Sequence, residues 1–160
     1  MRLPIAIVTL IAVSAAGLFA GAVAASPAPR PGWAVHETGF AYKELIDRVK
    51  RAAKANKMGV VTQAGPTGAA RNRGVAIPGN RVIGVFNNQF AVRMLAASEA
   101  AMIEAPIRFY VTEQPDGTAT LSYKTPSLAF APYADDGPEV MEIAAELDAI
   151  FAAIAADALR

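Results

Sequence analysis

Apolar and polar positions follow two periods along most of this chain, and each change of period marks a predicted element. Trp33 to Thr38 alternates large apolar with polar or small residues, the period-2 pattern of a short strand. From Tyr42 the period lengthens. Tyr42, Leu45, Ile46, Val49, Ala52 and Ala53 share one side of an amphipathic helix, with Lys43, Asp47, Lys50, Arg51 and Lys54 on the other. Asn56-Lys57 is the expected stop, asparagine being tolerant of the left-handed conformation that ends helices. Met58 to Gln63 is β-branched enough for a second strand. Gly65-Pro66-Thr67-Gly68 breaks the pattern, Ala69 to Arg73 allows at most one helical turn before Gly74, and Val75-Ala76-Ile77 is a short apolar step. After a Pro78-Gly79-Asn80 turn, Arg81 to Phe86 is a nearly continuous buried strand.

In the second half, Asn87-Asn88 is placed to cap a helix whose stripe comprises Phe90, Met94, Leu95 and Met102, and Pro106 stops it. Ile107, Phe109 and Val111 then alternate with Arg108, Tyr110 and Thr112. The alternation resumes beyond Pro115-Asp116-Gly117 with Ala119, Leu121 and Tyr123, which makes this the clearest hairpin in the chain. Asp136-Gly137-Pro138-Glu139 opens a last helix, with Asp136 as cap and Glu139 and Glu142 near its positive end. Its stripe is Val140, Ile143, Leu147, Ile150, Phe151 and Ile154. Burying these six side chains at ~1.5–3 kcal/mol each would make a docked terminal helix a large part of the stability. The order β-α-β-β-α-β-β-α, without the glycine fingerprints of doubly wound folds, predicts an α+β two-layer sandwich. Its four- or five-stranded sheet is covered by helices on one face.

A run without charge, Leu3 to Ala25, follows Arg2 and closes in small residues, the pattern of a signal peptide cleaved after Ala24 or Ala25. Its length also fits an uncleaved anchor, since about 20 apolar residues span a bilayer. Either way the remainder lies outside the cytoplasm: periplasmic or secreted when cleaved, held on the outer side of the inner membrane when not. Residues 26–32 form a proline-rich linker and 33–160 one domain. The exported part is neutral in total, which disfavours a nucleic-acid binder. The absence of cysteine excludes disulfides, thiol nucleophiles, Cys-ligated zinc and covalently attached haem. Neutrality hides a strong asymmetry, however. Ser26 to Arg93 carries eleven basic and three acidic residues, and Met94 to Arg160 three basic and eleven acidic. Either the two halves lie against each other, within a subunit or across a dimer, or Lys43, Lys50, Lys54, Arg71 and Arg73 present a basic face to a small anionic ligand or an anionic lipid surface.

The middle of the chain resembles the bacterial family Domain of Unknown Function 302. The residues that carry the resemblance run in order from Phe40 to Pro126: Phe40, Leu45, Gly74 with Val75 and Ile77, and Phe86-Asn87. They continue through Ala105-Pro106-Ile107-Arg108, Glu113, Asp116-Gly117 and Leu121-Ser122-Tyr123. The resemblance implies a compact α+β domain and a homodimer, and assigns no reaction. This chain departs from the family pattern twice, with Phe86-Asn87-Asn88 in place of a Gly-Asn-Pro turn and Gly65-Pro66 in place of an Asp-His pair. Any binding role of that pair is absent here.

Candidate chemistry is sparse. His36 is the only histidine, so a hydrolase of the Ser-His-Asp kind or a haem or metal site would have to use it, with Met58, Met94, Met102 or Met141 as haem partners. A strand histidine with a structural role is the plainer expectation, and methionines at helical spacing usually fill core gaps. Arg71 and Arg73 stand in a glycine-rich loop that could hold a carboxylate or phosphate, although it lacks the closing Gly-Lys-Ser/Thr of a P-loop. Tyr110 and Tyr123, on adjacent hairpin strands, could line a pocket or simply pack across strands. These features point to a non-enzymatic binding module with no cofactor, ahead of a small periplasmic hydrolase or a haem or metal protein.

Overall fold

The computed structural model describes residues 27–160; the leader and its cleavage positions lie outside them. Five strands and five α-helices follow in the order β1 (Trp33–Ala41), α1 (Tyr42–Ala55), β2 (Gly59–Ala64), α2 (Thr67–Asn72), β3 (Asn80–Phe86), α3 (Asn88–Ala97), β4 (Ile107–Glu113), β5 (Thr118–Lys124), α4 (Pro126–Phe130) and α5 (Pro138–Ala158). A 3-10 segment, Ala100–Glu104, precedes β4, and another, Ala131–Tyr133, follows α4. The strands form one sheet in the order β1-β5-β4-β3-β2, each pair antiparallel. β1 and β2 are consecutive in the chain yet form the two opposite edges, because α1 carries the chain across the sheet between them.

The predicted alternation sets the two faces of the sheet. Ile83, Val85, Ile107, Phe109, Val111, Ala119, Leu121 and Tyr123 are buried against the helices, which supply Leu45 and Val49 from α1, Met94 from α3, and Val140, Ile143, Leu147, Phe151 and Ile154 from α5. At its centre the Phe109 and Phe151 rings stack 4.5 Å apart, with Tyr123 tilted against both. The hairpin turns where expected. Asp116 accepts from the Thr118 amide and hydroxyl at 2.9 and 2.6 Å, which hold its carboxyl below the usual range. Gly117 takes φ +85°, a conformation costly to any side chain. At the far end of β2, Gly65 passes so close to β3 that a Cβ would stand 2.0 Å from the Asn80 carbonyl oxygen.

Local details depart from the sequence reading for identifiable reasons. Asn87 does cap α3, accepting from the Gln89 amide at 2.8 Å. The helix stops at Ala97, however, where Ser98 turns to extended backbone, so Met102 belongs to the following 3-10 segment. Leu95 falls on the outer side of α3 and is 49% exposed. The residue in the left-handed conformation after α1 is Lys57, φ 60°, and not Asn56, whose side chain instead donates to the Ala52 carbonyl and to Asp157 of α5. Asp136 does not cap α5. Its carboxylate accepts from the Ser98 hydroxyl, and Gly137 takes the cap position without a side-chain bond. The short helix α4 had no periodic pattern to announce it; Thr125 caps it, its hydroxyl accepting from the Leu128 amide at 3.2 Å.

Candidate functional site

The five residues singled out from the sequence do not converge. His36 lies on edge strand β1 opposite Leu121, on the helix-covered face, 6.2 Å from the Tyr123 ring. Its Nε2 is buried and has no hydrogen-bond partner among the described residues. Tyr123 is nearly buried beside it, and its phenol is pushed above the ordinary range, first by burial and then by the Asp148 charge. Tyr110 pairs with Ser122, and Phe109 pairs with Tyr123, so the two tyrosines point to opposite faces of the sheet and cannot line one pocket. Tyr110 instead bonds the Asn80 amide through its hydroxyl. Arg71 and Arg73 are exposed on α2 and its end, with Arg71 at the rim of an open hollow formed with Thr67 and Gly74–Ile77.

Three of the four methionines considered as haem partners of His36 serve another region, and Met141 packs partly buried against the core. Met58, Met94 and Met102 line a small apolar cavity of about 30 Å³ with Phe86, Phe90 and Phe130, beside β3 and the start of β4. Strand order places this cavity two strands away from β1 and His36. Among the described residues no group of three His, Asp or Glu side chains is placed to hold a metal ion.

A more coherent arrangement lies along α1 and β2. Lys50, Arg51 and Lys54 project from the outer side of α1, and with Asp47, Met58, Gly59 and Val60 they border an open groove of about 530 Å³ beside the start of β2. Lys50 pairs with Asp47 at 3.2 Å on its own helix. Lys43, Arg51 and Lys54 have no ion-pair partner among the described residues. The helical spacing shows these cations on the solvent side of α1; no sequence signal says that an edge strand lies beside them, because that follows from the sheet order.

The charge asymmetry resolves only slightly within one chain. Glu44–Arg48, Asp47–Lys50 and Asp157–Arg160 are local helix pairs. Among the described residues, one ion pair joins the basic half to the acidic half: Arg93 of α3 donates two hydrogen bonds, 2.8 and 2.6 Å, to Glu146 of α5. Those bonds hold the Glu146 carboxyl below its usual range and raise Arg93 further. α1 and α5 do pack together, but through apolar side chains and the Asn56–Asp157 bond, and among the described residues no acidic residue of α5 pairs with Lys43, Arg51 or Lys54.

Comparison with known proteins agrees with this architecture. A crystal structure described as an uncharacterized conserved DUF302 protein from Bacillus stearothermophilus superposes with a TM-score of 0.71 at 22% identity, covering 81% of this chain and 98% of that one. At that identity the likeness concerns the fold. No curated protein matches the chain. The family model for the domain of unknown function DUF302 matches residues 34–157, reaching beyond the Phe40–Pro126 stretch to take in β1 and nearly all of α5. Those two outer elements close the same core as the central hairpin, and with them included the chain belongs to the DUF302 family.

Proposed function

We propose that this protein is an exported, non-enzymatic binding module for an anionic partner, acting as a homodimer. One observation carries the binding reading: the cations Arg51 and Lys54 border an open groove and have no ion-pair partner among the described residues. Long cationic side chains left unpaired on one side of a helix raise the local concentration of anions and steer them to that surface. The groups that acid–base or nucleophilic catalysis would need are dispersed instead, with His36 on one sheet edge and the arginines of α2 beyond the other. Export rests on the leader pattern of Arg2 to Ala25, and the homodimer on the family resemblance.

Retention of the exported protein on immobilised polyglutamate, and its pelleting with anionic vesicles, test the reading. Binding to at least one probe at low salt, released by added salt, is expected, because the interaction is between exposed charges. The double variant Lys50→Glu/Lys54→Glu should pass through unretained with an unchanged melting curve. Failure of the wild-type protein to bind either probe would overturn the proposal. So would a hydrolytic activity that His36→Ala abolishes without unfolding the protein.

A further inference from the structure

We infer that the anionic partner is an acidic, extended polypeptide segment that adds to the free edge of β2 as a sixth strand, alongside the basic side of α1; this rests on the anion-binding reading above. Three observations on one strand lead there. β2 is the last strand in the sheet order, so half of its backbone N–H and C=O groups face away from β3. Its sequence, Gly-Val-Val-Thr-Gln-Ala, contains neither a charge nor a proline, the usual means by which natural edges repel another strand. Five of its six residues are exposed, and Val61 is 53% open to solvent.

The opposite edge is built differently. β1 carries Glu37, and its pairing with β5 slips between Glu37 and Ala41, where the Thr38 hydroxyl turns inward to the Ala119 carbonyl. β2 has its own irregularity at Val61, but beyond it Thr62, Gln63 and Ala64 keep regular register with β3. Val60 pairs with Val85, and Gln63 with Ile83, so these two side chains face the helix-covered side. Alternate side chains of an added strand would face the same side, toward the groove that Lys50, Arg51 and Lys54 border. The chemistry that fits is a run with carboxylates at every second position. Main-chain pairing would supply affinity, and the cations would select charge.

A second copy of the chain fits this edge poorly. Symmetric pairing of β2 with β2 would place the two α1 helices, both cationic, on the same side of the joined sheet, where like charges oppose association. A lipid surface offers charge but no strand.

The test uses the exported protein and a ten-residue peptide of alternating Glu and Val with blocked ends, against the same peptide methylated at every backbone nitrogen. The charges are identical, but only the first can pair as a strand. We expect the methylated peptide to bind at least tenfold more weakly. The unmethylated peptide should slow hydrogen exchange at Gly59–Ala64 amides, and Lys50→Glu/Lys54→Glu should lose at least tenfold in affinity. Equal binding of the two peptides, or protection confined to another strand, overturns strand addition. If polyglutamate is still retained in that case, the anion-binding function stands. Binding to anionic vesicles with none to the peptide also overturns it, as does concentration-dependent protection of β2 in the absence of peptide, which would assign the edge to a second copy.

Discussion

Two helices, α1 and α5, lie on the same face of the sheet and pack against each other, yet they do different work. α5 buries eight of its 21 residues, among them Phe151, Leu147 and Ile154, because α1, α3 and α4 all pack on it. α1 buries only Leu45, Val49, Ala52 and Ala53, and its outer side carries more cations than acids, with Lys43, Arg51 and Lys54 unpaired among the described residues. α5 is therefore the helix that gives most to the shared core. α1 contributes its inner side to the core and leaves the other in solvent. A helix surrounded by protein is specified by volume and shape, whereas a helix at the margin retains room for chemistry.

The comparison can be broken most forcefully at Phe151, whose ring is fully buried against Phe109. Phe151→Ala should destabilise the fold by about 3–5 kcal/mol, and Leu147→Ala by about 2–5 kcal/mol, in denaturant unfolding. An unchanged unfolding curve for either would mean that α5 is not the structural helix described here. The contact between the two helices is a smaller target. Asn56→Ala removes the bonds to Ala52 and Asp157 and should cost about 1 kcal/mol. A loss of anion binding at that site, without loss of stability, would contradict the division of roles.

At the junction of α1 and β2, Lys57 sits in a left-handed conformation that glycine adopts freely. Lys57→Gly should raise stability by about 1 kcal/mol. Its melting temperature should rise, and a fall would mean that the Lys57 side chain holds the junction together. The smallest effect is expected at the Arg93–Glu146 pair, where both side chains are about half exposed. Arg93→Ala should bring the Glu146 carboxyl back up to the ordinary range in an NMR titration, with no measurable change in the unfolding midpoint at neutral pH. The sign follows from the direction of the shift. A carboxyl held low favours the folded state above its ordinary range, and that contribution fades as pH falls through the lowered value.

Much of the molecule was legible from local pattern. The spacing Tyr42 to Ala53 and the stripe Val140 to Ile154 identified α1 and α5, with Ile150 only half-buried at the margin. The alternation around Pro115-Asp116-Gly117 identified the hairpin, because a period of two leaves one face for the core. Individual ends and caps were less legible. Lys57 and Gly137 do what Asn56 and Asp136 were better suited to do, since neighbours such as Asp157 and Ser98 claim those polar side chains. Leu95 has the residue type of a core position but the wrong angle around α3.

The sequence by itself determined the α+β class, the two long helices, the hairpin and the uneven charge along the chain, all of which depend on residues close in sequence. Tertiary structure alone decided that β1 and β2 form opposite edges. It also decided that Tyr110 and Tyr123 face apart, that His36 lies away from Met58, Met94 and Met102, and that a neutral, exposed strand runs beside the cations of α1. Those relations depend on strand order and register, which the chain settles only when distant segments pair and one shared core has to be closed.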